Sequence, residues 1–449
     1  MKKIGLLIFV IFNTLMLSSC LKISTPEELL QVPELSSEKR DMKDAVNNFR
    51  LQNTSAYPVT VNGDKTSSSM IIRDLDADGV GEIVSFYKRK EDDKIGVFIL
   101  SKSNDIWVKI ADISFDSYEI SKVNIVDLNN NKKKEIVVEA FEPTDLDNPK
   151  VYSIIYYNGK DIGVIKEIPY TVFRIYDIDD DKVNEIFTIK KSPANSGFVL
   201  NVSEFEDYSL KVLDTYNLKE VKNPYNMAIG GIYDDKKAIF IDYLMNEEEE
   251  NAQILLYDAG SYVELSKFDE YKQKQYVFNI QSKDIDKDGY VEVGYTFKAP
   301  NYNVRAGKYD IDAVSGYFKI KNDFSLELVS EKLVSKLGFV FNIPKSFSGK
   351  YKVSYSDSEN TNENIIYINY VDSKGREYPF INLSYMRKYD YILKKDSDYT
   401  LQLIIDGQDY VLVGNLIDSN NLLKGEDSIN YMTMKSDALI LSNLVKEDM

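Results

Sequence analysis

"DLDADGVGEIV" at residues 74–84 returns as "DLNNNKKKEIV" at 127–137, "DIDDDKVNEIF" at 177–187 and "DIDKDGYVEVG" at 284–294. In each, Asp, or Asn in its place, alternates along the first half, a glutamate stands at the ninth position, and an apolar run follows. The starts lie 53, 50 and 107 residues apart. The last gap is about twice the others, so a further unit is expected near 230. "IGGIYDDKKAIFIDY" (229–243) fills it, with the same apolar flanks and a shortened acidic loop.

Each unit parses into four strand-like runs. The first gives "SSSMIIRD", "EIVSFYKR", "KIGVFILSK" and "DIWVKIADIS", and the second "KVNIVD", "EIVVEAFE", "VYSIIYYN" and "IGVIKEIP". β-Branched and aromatic residues dominate, and no run sustains a helical period. A mainly β chain is therefore expected. Its form is a β-propeller of about five four-stranded blades, with residues 49–66 available to complete a sixth.

The units resemble FG-GAP/VCBS repeats, the blades of integrin α-chain-like propellers, over about residues 50–335. The unit near 230 departs from the pattern by losing its acids. The resemblance implies that each acidic loop joins two strands of a blade.

Hard oxygen donors at this density suit Ca²⁺, which takes six to eight of them in flexible geometry. The expected ligands are Asp74, Asp76, Asp78 and Glu82 in the first loop, with the Val80 carbonyl in reach. In the second they are Asp127, Asn129, Asn131 and Glu135, with half the charge and weaker binding. The third offers Asp177, Asp179, Asp181 and Glu185, and the last Asp284, Asp286, Asp288 and Glu292. Lys132 and Lys182 stand where the first and last loops have Gly79 and Gly289, a left-handed position that costs a non-glycine residue about 1 kcal/mol.

Composition excludes other chemistries. With 55 basic and 72 acidic side chains the net charge is −17, and no basic stripe exists to hold nucleic acid. There is no histidine, and a single cysteine rules out disulfides and thiolate metal sites. That cysteine ends "LSSC" (17–20), after Lys2, Lys3 and the apolar run 4–17. The pattern reads as a signal peptide over 1–19, and Leu17-Ser18-Ser19-Cys20 resembles the bacterial lipobox, which implies a lipid anchor on Cys20. The mature chain is then expected outside the cytoplasm, held to the cell membrane. A composition rich in Lys, Asn and Ile and poor in Ala fits a Gram-positive bacterium.

Residues 20–49 read as a tether and a short helix whose Met42, Ala45, Val46 and Phe49 share a face toward the propeller. "EEEE" (247–250) reads as a solvated turn, and Trp107 and the tyrosines as blade packing. After 335 the acidic repeat stops. Residues 336–449 read as a small α+β domain with a hairpin at Asp406-Gly407 and a final helix over Ser436–Glu447.

Five-bladed propellers also host glycoside hydrolases, which need an acid pair in the central funnel. The inner-strand acids here belong to the loops, and no nucleophile motif appears. A tethered binding or adhesion module for a protein or glycan is the expected function, with an envelope-assembly scaffold as the alternative and a glycan-active enzyme behind both.

Overall fold

Each acidic loop joins the first two strands of an antiparallel sheet. The computed structural model describes residues 37–52, 56–62, 67–141, 150–157, 161–192, 197–245, 250–265, 280–298, 313–335, 339–357, 364–395 and 400–447. The chain is mainly β, and its consecutive four-stranded sheets are consistent with propeller blades.

Blade 1 holds Met70–Arg73, Glu82–Arg89, Ile95–Ser103 and Ile106–Ser114. Blade 2 holds Glu119–Val126, Glu135–Phe141, Lys150–Tyr157 and Ile162–Tyr170. Blade 3 runs Val172–Tyr176, Glu185–Lys191, Phe198–Glu206 and Ser209–Leu218. Blade 4 runs Pro224–Tyr233, Lys236–Leu244, Glu250–Asp258 and Ser261–Glu264, with a tight turn at Asp234-Asp235 where the other units carry acidic loops. In blade 5 a bridge between Lys283 and Glu292 leads into Val293–Lys298, Ala313–Ile320, Leu326–Ser335 and Phe339–Ile343. The short strand Ala56–Pro58 belongs to blade 1: it pairs Tyr57 with Lys88, beyond the pairing of Met70 with Ser85.

Alternation along the strands gives each sheet two apolar faces. In blade 1, Val84, Phe86, Val97 and Ile99 pack toward Val123, Ile136 and Val138 of blade 2. Phe173, Ile186 and Phe205 meet Val137, Tyr152 and Ile154 between blades 2 and 3. Similar layers join blades 3 and 4 through Phe187 and Met227, and blades 4 and 5 through Phe240 and Val293. Each fully buried Phe, Ile or Val contributes about 1.5–3 kcal/mol.

The two ends of the array are covered differently. The remaining face of blade 1, with Ile83, Tyr87 and Phe98, packs on Met42, Ala45 and Val46 of the helix Ser37–Gln52. Leu333, Phe339 and Phe341 on the remaining face of blade 5 share a core with Phe347, Phe380, Leu383, Tyr431 and Leu441. Among the described residues no apolar cluster joins blade 1 to blade 5.

The C-terminal segment builds a sheet from Tyr351–Asp357, Asn364–Val371, Glu377–Arg387, Tyr410–Leu416 and Gln402–Asp406, with helices Lys388–Lys394 and Glu426–Asp437. Its last two strands pair Asp406 with Val411, the hairpin expected at Asp406-Gly407. The boundary expected at 335 falls between two paired strands, since Ser335 faces Phe339 and Glu331 faces Ile343.

The final helix lies at Glu426–Asp437, upstream of the expected Ser436–Glu447. Beyond it, Leu441–Asn443 is a 3₁₀ turn and Val445–Glu447 a strand on Phe339–Ile343. An open sheet edge next to a β-branched valine outweighs the helical spacing of Leu441 and Val445. Among the described residues no helix is long and apolar enough to cross a membrane.

Candidate metal centre

The four acidic loops share one backbone geometry. Each places its fourth and sixth residues in the left-handed region: Ala77 and Gly79 (φ 66° and 89°), Asn130 and Lys132 (57° and 72°), Asp180 and Lys182 (64° and 75°), Lys287 and Gly289 (64° and 91°). The lysines at the glycine position therefore adopt the conformation expected of them, at a cost of about 1 kcal/mol each. The leading aspartates hold this turn. Asp74, Asp127, Asp177 and Asp284 each accept, through Oδ2, the N–H of the sixth residue at 3.0, 2.7, 3.0 and 3.0 Å. At the fifth position Asp78, Asn131, Asp181 and Asp288 accept the N–H two residues on, at 2.7, 2.8, 2.7 and 2.9 Å.

The ninth-position glutamates close the loops from below. Glu82, Glu135, Glu185 and Glu292 are all buried, and each Oε2 accepts the N–H of the loop's second residue at 2.9 Å. Burial is the main cause that pushes all four carboxyls above their ordinary value, to about 7 for Glu135 and Glu185, and neighbouring aspartates add to it. Without a cation, ionising these groups is costly, so the loops have the electrostatics of a site that a positive charge would stabilise.

Carboxylate oxygens gather within 4.8 Å of one another in three loops: Asp74, Asp76 and Asp78; Asp177, Asp179 and Glu185; and Asp284, Asp286 and Glu292. The second loop brings only Asp127 and Glu135 as acids, with Asn129 and Asn131 as amides. Three buried oxygens at these positions have no hydrogen-bond partner: Asn129 Oδ1, Asp177 Oδ1 and Glu292 Oε1. A buried acceptor left unmet costs about 1–3 kcal/mol, and more when charged. A hard cation would satisfy all three, so the donor set and its orphaned atoms fit Ca²⁺.

Two lysines that the sequence reading missed modify the picture. Lys319 Nζ holds Asp288 Oδ2 at 2.5 Å and lies 3.9 Å above the Tyr290 ring, which places a cation beside the cluster of Asp284, Asp286 and Glu292. Lys237, in the second strand of blade 4, reaches Asp180 Oδ1 at 2.6 Å and the Asp177 carbonyl at 3.0 Å. Neither is visible locally, because each arrives from a strand distant in sequence.

A second constellation joins residues of blades 2 to 5. Asp242, 1% exposed, accepts Asn226 Nδ2 at 2.7 Å, the Ser282 N–H at 2.7 Å and the Ser282 hydroxyl at 2.6 Å. Asn226 Oδ1 in turn accepts Arg174 Nη2 at 2.9 Å. Glu139, which interacts electrostatically with Arg174, accepts the Tyr170 hydroxyl at 2.7 Å and Asn124 Nδ2 at 3.3 Å. Glu139 and Asp242 occupy the same position of their blades' second strands, five residues into the run that starts at Glu135 and Ala238, a signal the repeat alignment could have given.

Trp107 is half-buried against the cluster under the Ser37–Gln52 helix. Cys20 with residues 1–36, and Glu247 to Glu249 of the acidic run, lie outside the described residues. Glu250 opens the third strand of blade 4 and is buried, so that end of the run is not a solvated turn.

No family model and no curated protein matches the sequence. Solved structures with similar folds include a protein from Lactobacillus plantarum (11% identity, TM-score 0.30, 67% of this chain and 81% of that one). An exo-β-1,3-galactanase from Phanerochaete chrysosporium shares 9% identity at TM-score 0.31, over 80% of this chain and 90% of that one. A fucose-specific lectin from Aleuria aurantia shares 9% at TM-score 0.25, over 82% and 96%. The overlaps are broad in extent and loose in superposition, and no ligand follows from them.

Proposed function

We propose that the chain is a lipid-anchored, calcium-binding β-propeller of the FG-GAP/VCBS type, held outside the cytoplasm as a binding or adhesion module for an envelope or extracellular protein or glycan. The observation that carries the calcium reading is the set of orphaned buried oxygens, Asn129 Oδ1, Asp177 Oδ1 and Glu292 Oε1, inside the acidic loops. Asp74, Asp76, Asp78 and Glu82, with their counterparts in the other loops, would hold the ion. When bound it supplies positive charge to buried carboxylates. Its role is structural: the leading aspartates and ninth-position glutamates already fold each loop, and the ion fixes them in that form.

Binding is favoured over catalysis by the engagement of the second-strand acids Asp242 and Glu139. Asp242 is buried and engaged by Asn226 and Ser282, and Glu139 is engaged by Tyr170 and Asn124. The test is capture from cell-wall glycans and purified envelope proteins by the mature chain, with and without Ca²⁺. Retention of a glycan or protein that chelator abolishes supports the module. Retention of nothing in either condition overturns it.

A further inference from the structure

We infer that the cleft at the inner edges of blades 3, 4 and 5 binds one uncharged, polyhydroxylated ring of monosaccharide size. The inference deepens the binding-module reading and rests on it for its ligand class. The cleft has a volume of about 300 Å³, and Arg174, Tyr176, Asn226, Ile229, Gln281 and Ser282 are among its lining residues. Small-molecule sites span about 300–1,000 Å³, so this one holds a single ring and little more.

Its polar floor is rigid before any ligand arrives. Asn226, 4% exposed, spends its amide nitrogen on Asp242 and on the Ser282 carbonyl at 3.2 Å, which fixes its oxygen toward Arg174. Arg174 Nη1 donates to the Phe173 carbonyl at 2.8 Å, so the guanidinium is anchored at two points while the residue stays open to the cleft. The N–H groups left over face hydroxyl oxygens in a fixed fork. Gln281, exposed at the rim, adds both a donor and an acceptor.

Charge selects the class of ligand. Arg174 and Lys283 line the cleft together with Asp284, and Asp242 lies buried beneath Asn226. The guanidinium charge of Arg174 is already compensated by Glu139 and Asp242, so an anionic ligand gains little from it, whereas hydroxyls find oriented donors and acceptors. Ile175, Ala228 and Ile229, all half-buried, supply apolar wall for the C–H faces of such a ring.

Ligand-observed saturation-transfer NMR on the mature chain in millimolar Ca²⁺ tests this. The probes are the methyl glycosides of galactose, glucose, mannose and N-acetylglucosamine, with galacturonate as the anionic control. Transfer to at least one neutral glycoside, exceeding that to galacturonate, is expected. Arg174→Gln should weaken it by about tenfold or more, the scale of a lost hydrogen bond to a charged group. Gln281→Ala, at an exposed position, should weaken it less and leave melting unchanged. No transfer to any neutral glycoside, preference for galacturonate, or binding that survives both substitutions overturns the inference. A partner captured equally by Arg174→Gln and the unaltered chain overturns the cleft and leaves the binding module standing. A chain that captures nothing overturns the module itself.

Discussion

The backbone N–H of Lys134, in the second acidic loop, donates to the carbonyl of Leu75, in the first, at 2.8 Å. The contact repeats: Asn184 of the third loop donates to Leu128 of the second at 2.8 Å, and Val291 of the last to Gly231 of blade 4 at 2.9 Å. The eighth residue of the second, third and last loops thus bonds back to the preceding blade. The first three acidic loops are thereby linked along one edge of the array.

Backbone strain at the sixth loop position is separable from packing. A Cβ at Gly79 meets nothing within 4 Å, so Gly79→Ala should cost about 1 kcal/mol from conformation alone. Lys182→Gly should move the other way, by about 1 kcal/mol or less after the added chain entropy. It also removes a cation from an acidic loop and should tighten calcium binding there. Denaturant unfolding in chelator and a calcium titration of each variant check both effects. Equal stability for Gly79→Ala would mean that the turn is not held as described.

Phe341 ties the fifth blade to the C-terminal sheet. It is fully buried in the core that both share, and Val445 pairs with it from the end of the chain. Phe341→Ala should cost about 3–5 kcal/mol and lower the melting of both units together. Calorimetry showing two transitions, with only one displaced, would favour the division at 335.

Asp242 provides a pH signature. Burial pushes its carboxyl up to about 6 from the ordinary 3.8, against the opposing pull of Asn226, Ser282 and Arg174. A carboxyl raised on folding contributes stability that is present below the ordinary value and lost as pH rises through about 6. Asp242→Asn cannot titrate, so the stability difference between the original chain and this variant should shift against the original between pH 4 and pH 7. Parallel stability profiles would show that Asp242 does not change its proton affinity on folding.

The acidic loops were legible because their carboxylates sit within nine residues, where spacing alone fixes which oxygens converge. The helix over Met42, Ala45, Val46 and Phe49 was legible for the same reason. Lys319 on Asp288 and Lys237 on Asp180 were not, since each joins residues separated by dozens of positions and brought together only by blade packing. Val445–Glu447 misled because Leu441 and Val445 keep helical spacing, while the strand edge that captures the segment lies a hundred residues upstream. The Asp242 network was hidden by the same distance, as Ser282 comes from the next blade.

The anchor has its own test. Palmitate labelling should mark the full-length protein through Cys20, and Cys20→Ala should abolish the label and release or stall the precursor. Unchanged labelling in that variant would end the lipoprotein reading.

A calorimetric calcium titration of the mature chain, paired with melting in chelator, tests the calcium sites most directly. Extracellular calcium sites bind at about 10⁻⁴–10⁻³ M. At tenfold excess over that constant, one site adds about 1.4 kcal/mol to folding, and the first, third and last loops together about 4 kcal/mol at most. The titration should show binding in that range, and chelator should lower the melting temperature. Asp76→Ala with Asp286→Ala should remove most of the effect, while Asp234→Ala in the degenerate unit should change little. No heat at millimolar calcium, or melting indifferent to chelator, would contradict the account and leave the loops as hydrogen-bonded acidic turns.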